Sequence, residues 1–191
     1  MLMYYLSRLL YISKDFIATL YSRLLLKFWG IDVGRNNKFS GVIKISKYPR
    51  SNISIGSNNT FLSTNNINKI GLYTPCCIST LNSKSKISIG SGCGFSGTVI
   101  AASCSISIGN QVRCGANTLI VDTDFHSNDI RAGVDSPVKI CDEVWLGYGV
   151  KVLKGVTIGK GALIGAMSVV TSDIPEGVVA AGIPCKVIKK L

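Results

Sequence analysis

The chain contains one histidine, His126. It stands in Asp122-Thr123-Asp124-Phe125-His126, with carboxylates two and four places before it. Imidazole takes up a proton near neutral pH, so His126 is the side chain best suited to act as a general base. Asp124, with Asp122 as second choice, could orient the ring. The plainer account is a surface histidine in a variable loop, and the two carboxylates weigh against it. A histidine-rich metal site within one chain is excluded, because three or more ligands of that kind are needed. The seven cysteines have no metal spacing: Cys76 and Cys77 are adjacent, and Cys93, Cys104, Cys114, Cys141 and Cys185 are scattered. They read as small buried residues, and no metal is expected. An odd cysteine count without a secretory leader points to a reducing, cytoplasmic setting.

The elements that must hold His126 are repeats of six. From Ile140 the residues Leu146, Val152, Ile158, Ile164 and Val170 follow at six-residue intervals. Four places after the first five stand Val144, Val150, Val156, Ala162 and Ser168. That period fits a chain that makes a short strand, turns about 120° and repeats, so that three sixes close a triangular coil. The lead aliphatics then stack from coil to coil as the core. Earlier copies read Ile53-Ser54-Ile55-Gly56, continuing to Phe61 and Ile67, then Ile87-Ser88-Ile89-Gly90, leading to Phe95 and Ala101. A third copy, Ile106-Ser107-Ile108-Gly109, leads to Cys114 and Ile120. Ile89 and Ile108 are 19 apart, which implies one inserted corner residue, and residues 68–86 imply a less regular coil. Asn and Gly suit the tight corners because they tolerate positive φ. The repeat stops after Ile120 and resumes at Val138, so His126 lies on a polar excursion, and long excursions from a regular scaffold usually carry function.

Residues 2–28 predict an amphipathic helix, with Leu2, Leu6, Leu9, Leu10, Phe16, Ile17, Leu20, Leu24 and Phe28 at spacings of three and four. Arg8, Lys14, Arg23 and Lys27 break any run of membrane-spanning length. The chain divides into this helical segment, 1–30, and a repeat domain with a C-terminal tail, 31–191. The net charge is +11. Residues 1–121 hold 13 Lys and Arg against Asp15 and Asp32, whereas residues 122–191 hold eight bases and eight acids. The excess therefore sits at the N-terminal end and points to an anionic partner there. The helix either packs over the first coils or a neighbouring subunit, or rests on an anionic membrane surface. No aromatic-interleaved basic motif suggests nucleic acid.

Four segments carry a resemblance. They are Asp122-Thr123-Asp124-Phe125-His126, Val144-Trp145-Leu146-Gly147, Ile164-Gly165-Ala166-Met167-Ser168-Val169-Val170-Thr171, and Ala181-Gly182-Ile183-Pro184-Cys185-Lys186-Val187-Ile188. Over roughly residues 50–191 the sequence resembles the hexapeptide-repeat acyltransferases, in the branch of maltose, galactoside and polysaccharide O-acetyltransferases. The resemblance implies an all-β solenoid, a left-handed parallel β-helix with an N-terminal helical segment and an extended loop carrying His126. It implies His126 as the base on an acceptor hydroxyl, with Asp124 beside it. It implies acetyl-CoA as donor, held by Trp145, by a groove along Gly147, Tyr148, Gly165 and Ala166, and by Thr171 and Lys186 towards the adenine and phosphate end. Lys189 and Lys190 extend that basic tail.

The sequence departs from the family at Tyr148, often a small residue, and at Cys141, usually glycine. The coil before the loop reads Phe95-Ser96-Gly97-Thr98 and Ala101-Ala102-Ser103, without the Asn and Asp acceptor ligands of the maltose and galactoside branch. Three functions follow as expectations. The first is O-acetylation of a sugar hydroxyl on a surface polysaccharide or its precursor, by a homotrimer in peripheral contact with an anionic membrane. The second is N-acylation of an amino sugar nucleotide. The third is a non-catalytic scaffold at the membrane.

Overall fold

The computed structural model describes residues 2–65, 68–126 and 128–191, with side chains of the helix from Ser13 onward. The expected lead residue Ile67 and the side chains of Leu2, Leu6, Arg8, Leu9 and Leu10 lie outside the described residues.

Among the described residues one helix, α1 (Leu2–Phe28), precedes six coils of three strands each. Coil one is β1 (Asp32–Val33), β2 (Lys38–Ser40) and β3 (Lys44–Ser46). Coil two is β4 (Asn52–Ile55), β5 (Thr60–Leu62) and β6 (Cys77–Thr80). Coil three is β7 (Lys86–Ile89), β8 (Gly94–Ser96) and β9 (Val99–Ala102). Coil four is β10 (Ser105–Ile108), β11 (Arg113–Cys114) and β12 (Leu119–Val121). Coil five is β13 (Val138–Ile140), β14 (Trp145–Leu146) and β15 (Lys151–Val152). Coil six is β16 (Thr157–Ile158), β17 (Leu163–Ile164) and β18 (Val169–Val170), and β19 (Val178–Gly182) with β20 (Cys185–Lys190) closes the chain.

Each third strand pairs in parallel with its counterpart in the next coil, so three parallel sheets run the length of the stack. This arrangement fits the left-handed parallel β-helix expected from the sequence. The inward residues form three columns. One runs Ile55, Ile89, Ile108, Ile140, Ile158, and another Ile78, Ile100, Ile120, Val152, Val170, all at most 3% exposed. The middle column begins with Phe39, Phe61 and Phe95, whose rings stack at centroid distances of 5.0 and 4.9 Å, and continues through Cys114, Leu146, Ile164 and Ala180. Parallel stacking puts like residues on like, which lets flat rings lie face to face along the axis.

Coil corners approach so closely that some positions take no side chain. A Cβ on Gly90 would lie 2.5 Å from the Gly109 carbonyl oxygen. Other corners take the left-handed conformation, as at Asn36, Asn58 and Asn117 with φ near 60° (58°, 61° and 63°), where Asn is tolerated better than most residues.

Two sequence expectations are corrected. The lead residue after Phe95 is Ile100, not Ala101: Ile100 pairs with Ile120, while Ala101 pairs with Val121. The corner after Phe95 is one residue short and the following corner, through Ser103 and Cys104, is longer, so the net single insertion hides two changes of opposite sign. Within the irregular stretch 68–86, Cys77–Thr80 is a regular strand paired on both sides. Its alternation of Ile78 and Thr80 inward with Cys77 and Ser79 outward carries the period-two signal. The true excursion lies between β5 and β6, and its described residues are 63–65 and 68–76.

α1 closes the N-terminal end. Ala18, Ser22 and Leu26 are buried, and the Thr19 hydroxyl donates to the Phe39 carbonyl (3.2 Å) while accepting from its amide (3.0 Å). No helix among the described residues is long and apolar enough to cross a membrane.

Candidate active site

His126 sits on the excursion between β12 and β13. Its neck is held by Asp122, a fully buried carboxylate that accepts from the amides of Ser103 (2.6 Å) and Cys104 (2.9 Å) in the corner of the preceding coil. The Asp122 carbonyl also accepts from the Ser136 amide at 3.0 Å, which ties the two ends of the excursion together. Thr123 then accepts from the Phe125 amide at 3.1 Å, and Phe125 adopts φ 64°. This tight turn leaves Phe125 and His126 exposed. Beyond it, the His126 carbonyl accepts from the Asp129 amide at 2.9 Å, and Asp129 grips Arg131 with both carboxylate oxygens (2.9 and 2.5 Å).

Asp124 was expected to orient the imidazole. Its carboxylate is instead bonded to the Lys154 ammonium at 2.5 Å and the Gly133 amide at 3.2 Å. Lys154 stands just after β15, one coil beyond the loop, and its ammonium takes the carboxylate that was expected to meet the ring. The Lys154 hydrogen bond, helped by that of Gly133, holds the Asp124 carboxyl below the usual carboxylate range. Asp124 therefore fastens the loop that carries His126, and Asp122 fastens its neck. Neither is hydrogen-bonded to the ring.

The expected cofactor residues fall into two groups. Trp145 projects from the outer side of β14, between Arg113 of β11 and Leu163 of β17, and is 56% exposed. The corner after β14 carries Gly147 and Tyr148, and the corner after β17 carries Gly165 and Ala166, stacked directly: a Cβ on Gly147 would lie 2.7 Å from the Ala166 amide nitrogen. These five residues line one edge of the prism. Thr171 follows β18 at a different edge, and Lys186 lies on β20 opposite Ala181.

The groove donors also need correction. The amides of Gly147 and Gly165 are spent within the coil stack, on the carbonyls of Ile164 and Ala180, both at 2.8 Å. Among the described residues, those of Tyr148 and Ala166 have no backbone acceptor. The Tyr148 hydroxyl meets that of Tyr73 at 2.9 Å. That hydrogen bond lowers the Tyr148 phenol and raises that of Tyr73. Asn117 steadies the arrangement, accepting from the Tyr73 amide (2.8 Å) and donating to the Gly71 carbonyl (3.1 Å). The first excursion thus folds back over the Tyr148 corner. Lys154, Tyr73 and Asn117 escaped the sequence reading. The left-handed corner position of Asn117 offered a weak local signal, and the other two offered none.

The His126 loop and the Trp145–Tyr148 corner stand on different edges of the prism. The His126 loop leaves from the edge after the third strand of a coil and is pinned there by Lys154 and by the Gly155 amide, which donates to Ser136 at 2.9 Å. The Trp145–Tyr148 edge follows the second strand. Among the described residues no three His, Cys, Asp or Glu side chains are grouped to hold a metal ion.

Residues 137–172 match the bacterial transferase hexapeptide (six repeats) family. The chain is 50% identical over 91 residues to a galactoside O-acetyltransferase of Lactococcus lactis, covering 45% of this chain and 44% of that protein. It spans less than half the length of the curated relatives it matches. Among solved structures, a galactoside acetyltransferase in complex with coenzyme A is 26% identical, with a TM-score of 0.50 over 83% of this chain and 64% of that one. A point mutant of AntD, an N-acyltransferase from Bacillus cereus in complex with dTDP and coenzyme A, is 24% identical with a TM-score of 0.60 over 89% of each chain, a likeness of fold alone.

Proposed function

We propose that this chain of hexapeptide repeats is an acetyl-CoA-dependent O-acetyltransferase acting on a sugar hydroxyl of a surface polysaccharide or its precursor. The observation that carries the reading is the placement of its one histidine. His126 is exposed on a braced excursion immediately before the repeats that match the transferase family. A sugar hydroxyl is a weak nucleophile at neutral pH until its proton has somewhere to go, and a positioned base is worth ~10²–10⁴-fold. In the proposed reaction the hydroxyl proton passes to the His126 imidazole as the oxygen attacks the thioester carbonyl. The carbon–sulfur bond breaks, and the departing thiolate takes the proton from the imidazolium. The thioester is already activated, so no acyl-enzyme is needed. Charge on the carbonyl oxygen needs an N–H donor, and the Tyr148 and Ala166 amides are the corner groups left available for it.

Trp145 offers an exposed aromatic wall for the donor's arm, and the Gly147 and Gly165 corners offer close backbone approach. Lys186, with Lys189 and Lys190, offers positive charge for phosphate. A homotrimer belongs to the same reading. Base and groove stand on different edges of one prism, and a closed three-fold assembly lets the loop of one chain face the groove of the next. Exposed Ile130 and Val134 on the His126 loop, and Ile70 and Tyr73 on the other excursion, supply apolar surface for that contact. A cytoplasmic setting with peripheral contact to an anionic membrane completes it.

The test is thiol release from acetyl-CoA with a panel of glycosides and amino sugars. His126→Ala should lower kcat on the order of 10²-fold or more with coenzyme A affinity unchanged. Near-wild-type turnover by that variant would remove the assignment, and turnover only with amino sugars would move it to N-acylation.

A further inference from the structure

α1 covers coil one with a narrow strip and leaves its larger apolar residues outside. The buried strip is Ala18, Ser22 and Leu26, spaced by four. On the other side Phe16, Ile17, Leu20, Tyr21, Leu24 and Phe28 are between 53% and 86% exposed. At 100° per residue these six fall within an arc of about 140°, opposite the buried strip. Exposed Lys14 and Arg23 border that arc, and exposed Lys27 lies just inside its Arg23 side. Between the helix and coil one, Arg23, Lys27 and Arg35 line one concavity with Asp32 as its one acid, and Arg23 and Lys38 line another.

We propose that the outward face of α1 docks on an anionic lipid bilayer and stands the solenoid upright on it, coil one nearest the lipid. The placement deepens the membrane contact of the proposed function but needs none of its chemistry. An apolar arc bordered by cations is the pattern of a helix lying in the interfacial plane, its apolar side among acyl chains and its cations among headgroup phosphates. The basic concavities give such phosphates a second set of partners. The charge argues against a second copy as occupant. Pairing two such faces would crowd Lys14, Arg23 and Lys27 of both chains, with Asp15 the lone helix acid to offset them.

Orientation follows from what the helix covers. α1 packs on β1 and β2, the outermost strands of their sheets, so its free face points along the solenoid axis. The His126 loop leaves coil four, three strand spacings or about 14 Å further on. Adding a helix diameter of about 10 Å places the loop roughly 25 Å from the lipid. A lipid-anchored acceptor would therefore be modified several sugars away from its anchor.

Flotation of the full chain with vesicles decides the matter. One set is phosphatidylcholine alone and the other contains roughly 30% phosphatidylglycerol. The expected result is flotation with the anionic vesicles at low salt, loss at high salt, and none with phosphatidylcholine. Lys14→Ala with Lys27→Ala should weaken anionic binding on the order of twentyfold, about fivefold per cation. Leu20→Asn with Leu24→Asn should abolish it. Both leucines are exposed, so an unchanged melting curve confirms the fold. No flotation with anionic vesicles at low salt, equal flotation with both sets, or indifference to the leucine substitutions overturns the proposal. A loss of sedimenting mass in the leucine variant would put a second copy on this face instead. His126→Ala should float as the parent does, so a failed acetyl-transfer assay and a failed flotation are separate results.

Discussion

Asp122→Ala is the sharpest test of how the loop is built. In the folded chain this carboxylate is inaccessible to solvent and accepts from the Ser103 and Cys104 amides at 2.6 and 2.9 Å. A hydrogen bond to a charged group contributes about 1.5–3 kcal/mol net. Alanine removes two, and the half-buried amides recover part of the loss from water that enters, so about 3–4 kcal/mol is expected. For a domain of this size each kcal/mol shifts the melting temperature by about 2–4 °C, giving a fall of about 10 °C. Asp122→Asn keeps the volume and one acceptor oxygen but turns an N–H towards a second donor, so it should fall between parent and alanine. Thermal melts by circular dichroism give the first readout. Hydrogen exchange at the Ser103 and Cys104 amides gives the second, since both should lose protection before the rest of β9 and β10. A melting shift under about 2 °C, with both amides still protected, would refute the latch.

Two further outcomes can be checked directly. In native protein a thiol reagent should label at most Cys77, Cys104 and Cys141, which are half-buried, while Cys76, Cys93, Cys114 and Cys185 are buried. Burial also pushes the Cys114 thiol far up, so rapid labelling of more than three thiols without denaturant would contradict the packed columns. The Asp124–Lys154 pair should make loop anchoring pH-dependent. Asp124 has a folded pKa below its unfolded value, so its contribution is present above the ordinary carboxylate range and is lost as pH falls through the depressed value. The protection factor of the Gly133 amide, bonded to the same carboxylate oxygen, should drop across that window in the parent and at higher pH in Lys154→Met, where the ammonium no longer depresses Asp124; a parent with flat protection, or a drop that the substitution leaves in place, would sink the idea.

The repeat was legible because the interaction that makes the fold is the interaction between a residue and its copy one coil on. Periodicity in the chain is therefore periodicity in space, and Ile140 to Val170 could be placed in columns without slip. Register failed where compensating changes hid from a count. The short corner after Phe95 and the long one through Ser103 cancel to one residue, and only the pairing of Ile100 with Ile120 separates them. The excursion carrying His126 was legible as a break in the pattern. What braces it was not, because Asp124 meets Lys154 across 30 residues and Tyr73 meets Tyr148 across 75. Proximity to His126 in sequence made Asp124 look like its partner, but the Lys154 ammonium, distant in sequence and near in space, holds the carboxylate.

The last strand has a consequence for the whole molecule. A stack in which every layer is a template for the next has no natural length, and an open end would add further copies until it became a fibre. Here growth is terminated at both poles. At one pole α1 lies across β1 and β2. At the other, β19 is paired with β20, which runs antiparallel and carries Lys186, Lys189 and Lys190, charges that discourage an incoming strand. Of the neighbouring strands, β16 is already bridged on its outer side by Ile174, and β18 is two residues long, too short to nucleate one. Because the terminators touch only the end layers, the number of layers between them is free to vary. A solenoid capped in this way can gain or lose a layer in evolution without inventing a new surface, like a polymer whose end groups are fixed and whose degree of polymerisation is not.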